Sequence, residues 1–275
     1  MSAIDGKILF TKSDCYKAAR KMTPKGIVVH STGANNPNLR RYVAPDDGII
    51  GKNDYNNDFN RSGLDVCVHA FIGKDKNGNV KCYQTLPFDI CCWGVGSGNK
   101  GSYNYNPAYI QFEICEDNLS DKAYCTAVYN KAVELCAYLC KIYNISVNNI
   151  VSHHEAGQKG YGSNHIDPDN WWGKHGYTMD KFRATVKAKL ALPVFDSTGY
   201  KKGEGTIGLL SLKESLILAK KLGLHKYGMD ENQWFGDGTL NAVNHLLGQW
   251  SYQQNGIAGE KFIKRLAAEV NKKIK

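Results

Sequence analysis

The sequence predicts an α/β fold, a central β-sheet covered by helices, followed by a small three-helix module. Two observations predict the sheet and its helices. Short runs rich in β-branched and aromatic residues alternate with turn-rich stretches between about residues 24 and 151, and stretches with helical spacing accompany them. A third observation predicts the module, because cysteine is absent beyond residue 192 and helical patterns dominate there.

Four strand-like runs occupy the first part of the chain. They are GIVVH (26–30), LDVCVHAFIG (64–73), NVKCYQTL (79–86) and AYIQFEIC (108–115). The second and third are predicted to form a hairpin that turns at Asn77-Gly78, a dipeptide that favours tight turns. Helices are predicted over 121–143, with Asp121 at the positive N-terminal end, and over 178–192.

A change of composition near Leu192 marks the predicted domain boundary. The stretch that follows mixes Pro, Gly, Ser and charged residues, which is typical of a linker. Three helical patterns come next, at 209–223, 239–250 and 259–273. We therefore predict a larger domain over residues 1–192, a linker over 193–205 and a small helical domain over 206–275.

Composition narrows the class of protein. The 275 residues are 42% hydrophobic, as in a packed globular protein, and no apolar run is long enough to cross a membrane. The N-terminus lacks a charged start followed by an apolar core, so we expect no signal peptide. The nine cysteines form no CxxC pair, which favours buried, reduced thiols in a chain folded in a reducing cytoplasm.

The basic net charge of +9 raises the question of a polyanionic partner. Only 6 of the 35 basic residues are arginine, the side chain that makes most bidentate contacts to phosphates and bases. We therefore expect no nucleic-acid partner. A polyanionic cell wall fits the charge equally well.

The span 152–172, SHHEAGQKGYGSNHIDPDNWW, concentrates groups that bind metals and transfer protons. His30 ends the run GIVVH, and Glu113 lies within YIQFEICED. Together these segments can supply two nitrogen ligands and one oxygen ligand to a zinc ion. One further carboxylate and one further imidazole would remain near the metal without binding it. That donor set is typical of a catalytic zinc, which keeps a position open for water, rather than of a closed structural site.

The spacing of these residues along the chain reduces the number of possible zinc ligands but does not select one set. His153 and His154 end the run NNIVSHH, and adjacent residues on a strand face opposite sides, so only one of them would reach the metal. His165 and Asp167 are two residues apart and would share one side of an extended segment. Imidazole and carboxylate both bind zinc, so both stay candidates at this point.

Five motifs follow one another in an order that resembles zinc N-acetylmuramoyl-L-alanine amidases of the amidase-2 group, whose fold is shared with peptidoglycan-recognition proteins. They are VVHSTG, VHAFIGKDKNGNVKCYQTLP, the segment around Trp93, YIQFEICED and SHHEAGQKGYGSNHIDPDNWW, over about residues 20–190. The last motif is most similar to amidases of clostridial phage endolysins. The resemblance implies an α/β fold with a central mixed β-sheet flanked by helices and a zinc ion in a groove.

Carried over by position, the resemblance implies roles for five residues. His30, His153 and Asp167 would bind one Zn²⁺ per chain. Glu113 matches the catalytic glutamate, which would accept a proton from the attacking water and deliver it to the leaving amine. His165 stands where many relatives have a lysine and would stabilise the oxyanion.

The same resemblance points to a substrate groove. We expect His69, Trp93 and Asn164 to contact the substrate. Two positions depart from the family pattern: Val68 stands where some relatives have a tyrosine, and Gly94 stands where many have a histidine. These departures predict a groove of different shape.

The C-terminal segment DENQWFGDGTLNAVNHLLGQW is similar to three-helix peptidoglycan-binding domains. By this resemblance Gly236 and Gly238 would form a turn, and Thr239 would cap the next helix. Four aromatic residues would either stack against sugar rings of the wall or fill the small core: Trp234, Phe235, Trp250 and Tyr252.

The resemblance implies a peptidoglycan hydrolase of the endolysin or autolysin type. It would cleave the amide between the lactyl group of N-acetylmuramic acid and the L-alanine of the stem peptide in a Gram-positive-type wall. It would be made in the bacterial host cytoplasm without a signal peptide and act after release, with a holin as one route. A non-catalytic recognition protein and a zinc peptidase acting within the stem peptide stay open, although the presence of both Asp167 and Glu113 favours the enzyme.

Overall fold

The structure is a computed structural model that describes residues 3–190, 199–205, 207–232 and 234–274. The chain divides into two compact units, with the boundary after Leu190. In the first unit the strands are β1 (Gly6–Lys7), β2 (Gly26–Ser31), β3 (Ala70–Lys74), β4 (Val80–Gln84), β5 (Tyr109–Ile114) and β6 (Ile150–Ser152). Its helices are α1 (Asp14–Ala18), α2 (Lys122–Tyr143), α3 (His153–Gln158), α4 (Asp169–Lys174) and α5 (Met179–Leu190).

The six strands form one mixed sheet in the order β1-β4-β3-β5-β2-β6, as expected. Strands β3 and β4 form the predicted antiparallel hairpin, and the other neighbouring pairs are parallel. Because β5, β2 and β6 are adjacent and parallel, their carboxyl ends meet at one edge of the sheet, where open α/β sheets bind ligands. His30 lies opposite Glu113 in the register of β2 and β5, and His153 directly follows β6.

Alternation along β2 and β5 gives the sheet two different faces. One face packs against α2 and α5 through the fully buried residues Ile27, Val29, Ile110, Phe112 and Ile114. The residues between them point to the opposite side, among them His30 and Glu113. The apolar face thus anchors the two strands, while the other face carries buried apolar residues such as Val28 and Tyr109 and, towards the carboxyl ends of the strands, the polar groups.

The two long helices of this unit agree with the sequence. Helix α2 begins after Asp121, whose carboxylate accepts a hydrogen bond from the Tyr124 N–H at 3.0 Å. Helix α5 begins at Met179 and runs to Leu190, and the last two residues of the predicted helix, 191–192, lie outside the described residues.

The strand predicted over 64–73 is wrong in its first half, because β3 begins only at Ala70. The backbone of His69 still bonds to the neighbouring strands, its N–H donating to the Gln111 carbonyl at 2.8 Å and its carbonyl accepting the Thr85 N–H at 2.7 Å. Before it the chain leaves the sheet, and the carbonyl of Cys67 accepts the N–H of Trp93 at 3.1 Å. The hairpin turn is a three-residue loop closed by the Asp75 N–H, which donates to Asn79 at 2.9 Å. Gly78 takes the left-handed conformation there, with φ of 84°.

The second unit contains the three predicted helices, α6 (Ile207–Lys221), α7 (Asp237–Gln249) and α8 (Glu260–Ile274). They enclose a separate core that includes Leu216, Leu246 and Leu266. Part of the predicted linker belongs to this unit, since the Tyr200 and Ala258 backbones exchange hydrogen bonds of 3.2 and 2.8 Å. Residues 193–198 of that linker are not among those described.

The predicted start of the second of these helices needs correction. Gly236, not Thr239, is the residue that precedes α7. Thr239 lies inside the first turn with its side chain buried, and its hydroxyl has no hydrogen-bond partner among the described residues. Gly238 is required for close packing rather than for a turn, because a Cβ there would lie 2.1 Å from the carbonyl oxygen of Gly228.

Two expectations from composition can be compared with the structure. The nine cysteines are all buried and free, as predicted. Among the helices that the structure describes, none is both long and apolar enough to span a bilayer.

Candidate metal centre

Three side chains converge at the carboxyl edge of the sheet: His30 from β2, His153 from the start of α3, and Asp167 from the loop before α4. Their ligand atoms all lie within 4.8 Å of one another. The two Nδ1 atoms are 3.0 Å apart, His153 Nδ1 is 3.4 Å from Asp167 Oδ1, and His30 Nδ1 is 3.6 Å from Asp167 Oδ2. These are the three residues that the family resemblance implies as ligands.

The separations suit a zinc ion. Ligand atoms around tetrahedral zinc, with bonds of about 2.0–2.1 Å, lie about 3.3 Å apart. The two Nδ1 atoms and one of the two Asp167 oxygens would form one face of such a tetrahedron and leave one position for water or substrate. Two imidazole nitrogens and one carboxylate oxygen are also the donor types that zinc prefers in catalytic sites. The residues present therefore fit Zn²⁺.

The local backbone explains why His153, and not His154, faces the cluster. The two histidines begin a helix rather than end a strand, so the strand-alternation argument used to separate them was wrong. Ser152 caps this helix, its hydroxyl accepting the Glu155 N–H at 3.0 Å. Successive helical residues point in different directions, and His154 turns to Asp169, with Nδ1 and Oδ2 3.0 Å apart.

Asp167 is held as an anion between the two histidines. Its Oδ2 accepts the N–H of Ser31 at 3.1 Å. Burial alone would raise the pKa of Asp167, but the imidazoles of His153 and His30 outweigh burial and hold it well below its usual value. A metal ion bound between the two histidines requires such an ionised carboxylate.

The remote nitrogens of the two histidines are also engaged. His30 Nε2 lies 3.1 Å from Gln111 Oε1, and His153 Nε2 lies 3.0 Å from Ser163 Oγ. The sequence reasoning missed both partners. For Gln111 a signal existed, because it lies two residues before Glu113 in β5 and therefore on the same face. For Ser163, in a loop, the sequence offered none.

Glu113 lies beside the cluster, opposite His30 on one side and opposite Phe71 on the other. Its Oε2 is enclosed, and no hydrogen-bond partner reaches that atom from the described residues. Burial, and secondarily the charges of Asp167 and Glu116, raises the pKa of Glu113 well above its ordinary value. A carboxyl group in this state can hold and release a proton.

His165 stands at the open side of the cluster. Its imidazole is 63% exposed and stacks on His153, with the ring centroids 4.4 Å apart. Its Nδ1 is 3.6 Å from Asp167 Oδ1. The neighbouring Asn164 is exposed, and Trp93 is half-buried. His165 and Asn164 are thus free to meet a ligand.

The expected contact of His69 with substrate does not fit its placement. His69 is fully buried, with Nε2 2.9 Å from the Ile90 carbonyl and Nδ1 accepting the Gln111 N–H at 3.0 Å. Burial lowers its pKa to about 4, so it is a neutral group that ties together neighbouring segments. Tertiary packing, which the sequence motif did not reveal, decides this role.

The four aromatic residues of the second unit divide into two kinds. Trp234 and Tyr252 are 55% and 37% exposed. Phe235 is fully buried in the core. Trp250 is partly buried and packs against this core, with its ring centroid 5.3 Å from that of Phe262. Phe235 is therefore a core residue and has no surface with which to stack on a sugar.

Comparisons with known proteins agree with the sequence resemblance. Residues 20–170 match the family Amidase_2, N-acetylmuramoyl-L-alanine amidase. The bifunctional autolysins of Staphylococcus aureus strains Mu50 / ATCC 700699 and N315 are 25% identical over 174 residues, which is 60% of this chain. The chain spans only 12% of the length of these curated relatives.

Several solved structures are also similar. The Staphylococcus aureus hydrolase AmiA, in complex with its ligand, has 23% identity and a TM-score of 0.44, covering 65% of this chain and 82% of its own. A mutant endolysin from Bacillus subtilis has 24% identity and a TM-score of 0.45, covering 68% and 99%. The PlyG catalytic domain has 24% identity and a TM-score of 0.45, covering 67% and 94%.

The family match covers more than half of the chain and includes every residue of the metal cluster, together with Glu113 and His165. The chain therefore belongs to the Amidase_2 family of N-acetylmuramoyl-L-alanine amidases.

Proposed function

We propose that the chain is a peptidoglycan hydrolase that uses zinc to cleave the amide between the lactyl group of N-acetylmuramic acid and the L-alanine of the stem peptide. The observation that carries this proposal is the convergence of His30, His153 and Asp167 beside the enclosed carboxyl group of Glu113. A recognition protein that only binds peptidoglycan would need neither an intact ligand set nor a proton carrier. Membership in the amidase family supports the same choice.

In this proposal each residue has a separate task. Bound Zn²⁺ would supply a Lewis acid that polarises the scissile carbonyl and acidifies water. Glu113 accepts the proton of the attacking water and returns it to the amine of L-alanine as the carbon–nitrogen bond breaks. His165, exposed beside His153, donates to the oxygen of the tetrahedral intermediate.

Digestion of purified peptidoglycan tests the proposed bond. The amidase produces new N-terminal alanine and no new reducing sugar ends. New amines other than alanine would instead assign a peptidase that cuts within the stem peptide. Binding to the wall without any new end group would assign a recognition protein. Glu113→Gln is the matched control, since it should bind the same wall and release new ends at a rate about 10²–10⁴-fold lower.

We also propose that the second unit binds the wall. It contains a cleft of about 490 Å³ lined by Tyr227, Asn241, Asn244, His245, Gly248, Gln249 and Gln254. None of these side chains carries a charge at neutral pH when the histidine is neutral, although the whole chain is strongly basic. Amide, hydroxyl and imidazole groups match the hydroxyl and acetamido groups of neutral amino sugars.

Sedimentation of the full chain with purified walls tests this second proposal. The double variant Asn241→Ala, Gln249→Ala should leave most of the protein in the supernatant. Trp234→Ala, which removes an exposed aromatic outside the cleft, is the comparison variant. If only Trp234→Ala releases the protein from the walls, the unit binds by aromatic stacking and the cleft is not the binding site.

For location we propose that the protein is made in the cytoplasm of a bacterial host and acts on a Gram-positive-type wall after release, with a holin as one route. The nine free, buried cysteines support folding in a reducing compartment. Lysis of cells only when a membrane-permeabilising protein is co-produced would support release from within. Lysis without one would contradict it.

A further inference from the structure

The two histidines of the metal cluster are each connected to the same buried residue, Val95. On one side the Val95 N–H donates to Asn104 Oδ1 at 3.2 Å, and Gln111 Nε2 donates to the same oxygen at 2.8 Å. Gln111 Oε1 then lies 3.1 Å from His30 Nε2. On the other side Ser163 Oγ donates to the Val95 carbonyl at 3.2 Å and lies 3.0 Å from His153 Nε2.

The direction of every bond in these chains follows from the backbone of Val95. A backbone N–H is only a donor, so the oxygen of the Asn104 amide must face it, and the NH₂ of Gln111 must face that oxygen. This leaves Gln111 Oε1 as an acceptor, so His30 Nε2 must carry its proton. The Val95 carbonyl, which can only accept, receives both the Ser163 N–H at 2.9 Å and the Ser163 hydroxyl at 3.2 Å. A hydroxyl that donates its one proton there can only accept from His153 Nε2.

Two glycines allow the backbone to come this close. A Cβ on Gly94 would lie 2.5 Å from Gln111 Oε1, and one on Gly96 would lie 2.9 Å from Ser163 Oγ. Val95 and Gln111 are fully buried and Asn104 is 6% exposed, so water has little access to the chain that leads to His30; Ser163, in the other chain, is half-buried. Gly94 is also one of the two positions that depart from the family pattern.

We propose that the backbone of Val95 fixes the tautomer of both metal ligands. Acting through the positioning residues Asn104 and Gln111 for His30, and Ser163 for His153, it keeps both ring protons on Nε2. Both Nδ1 lone pairs then face Asp167, where they converge to 3.0 Å. This inference rests on the proposed zinc site and concerns metal binding, not the bond that is cleaved.

Zinc affinity measures the effect directly. Outer partners of ligating histidines typically contribute about 10–100-fold to metal affinity. We expect Gln111→Met, Ser163→Ala and Asn104→Ala each to weaken zinc binding by about that factor in a chelator competition. Asn104→Ala is the sharpest case, because Asn104 contacts neither the metal nor a ligand. Its removal should weaken zinc binding by allowing the Gln111 side-chain amide to flip, which exchanges the positions of its oxygen and nitrogen.

Thr85→Val is the matched control. It removes another buried hydroxyl that donates to a backbone carbonyl, that of Val68 at 2.7 Å, but it belongs to neither chain. Zinc affinity should be unchanged in this variant. The thermal unfolding temperature of each zinc-free variant is measured beside that of the wild type. A variant that binds zinc weakly but unfolds at the wild-type temperature has lost a positioning bond, not its fold.

Nuclear magnetic resonance of histidine rings in the zinc-loaded wild-type protein gives a second measurement that needs no variant. His30 and His153 should each show a proton on Nε2 that exchanges slowly with solvent. A ring proton on Nδ1 of either histidine, or wild-type zinc affinity in all three variants, would overturn the inference. Cleavage of walls by those variants would then leave the proposed function standing.

Discussion

Glu113 and His30 are register partners on neighbouring strands, yet their surroundings differ. The imidazole has a hydrogen-bond partner and two neighbouring ligands, whereas the carboxyl Oε2 is enclosed and unpaired among the described residues. Burial therefore raises the pKa of Glu113. A carboxylate close to the metal cluster with a raised affinity for protons suits accepting a proton from water better than coordination.

The variant Glu113→Gln tests this assignment. We expect zinc content to stay near one per chain while turnover falls by about 10²–10⁴-fold, because the change removes the proton acceptor and leaves the ligands in place. Metal analysis and wall digestion measure the two quantities on the same sample. A near-normal rate would move the proton transfer to another group, and loss of zinc would make Glu113 structural.

His165 gives a second prediction at the scale of single residues. Because its ring is exposed, His165→Ala should leave folding and zinc content unchanged. Turnover should fall by about 10²–10³-fold if the imidazole donates to the oxyanion. His165→Lys should restore part of the rate, since an ammonium group also donates. If His165→Ala lost its zinc and Asp167→Ala kept it, the roles of the two residues would have to be exchanged.

The residues of the site were predictable to different degrees. Spacing alone left His165 and Asp167 as equal candidates, and only the family resemblance chose between them. The burial of His69 and Phe235 could not be read from their motifs, because it depends on segments distant in sequence. Ser163, the partner of His153, was missed for the same reason, since it contacts Val95, 68 residues earlier in the chain.

At the scale of elements, strand and helix patterns were reliable where one apolar face packs into the main core of the first unit. β2 and α2 follow the predicted runs closely, because one apolar face of each fills the same core. The strand predicted over residues 64–68 does not form despite its β-branched residues, because the Cys67 carbonyl there bonds to the Trp93 N–H of another loop. The start of α3 was missed since its capping residue, Ser152, lies inside an apparently continuous strand pattern.

Helix α3 is held by a network that can be tested on its own. The Glu155 carboxylate accepts the Ser152 N–H at 3.3 Å and two bonds from Arg183 at 2.8 and 3.0 Å. Glu155→Ala leaves Arg183, whose side chain is 19% exposed, without its main partner. We expect the free energy of unfolding of the first unit to fall by roughly 1–3 kcal/mol in chemical denaturation.

Asp180→Ala is the control for that network. It removes another partner of Arg183, but the Asp180 side chain is 92% exposed, so the loss should be below about 1 kcal/mol. An equal fall in the free energy of unfolding of the two variants would show that the contact between Glu155 and Arg183 stabilises α3 no more than an exposed ion pair does.

At the scale of the whole molecule, the division after Leu190 predicts separable activities. We expect residues 1–192 to fold alone and to cleave soluble muramoyl peptides at close to the rate of the full chain, because every residue of the proposed site lies before the division. Residues 200–275 should sediment with walls without cutting them. If that fragment stayed in solution, a packing or dimerisation role would replace wall binding.

The central claim is that one zinc ion, held by His30, His153 and Asp167, is required to release L-alanine ends from the wall. The most direct measurement is new N-terminal alanine from purified peptidoglycan, with metal-free protein before and after one equivalent of Zn²⁺ is added. We expect no release before addition, full release afterwards, and none at any zinc level with Asp167→Ala. Full release by the metal-free protein, or by Asp167→Ala, would contradict the account.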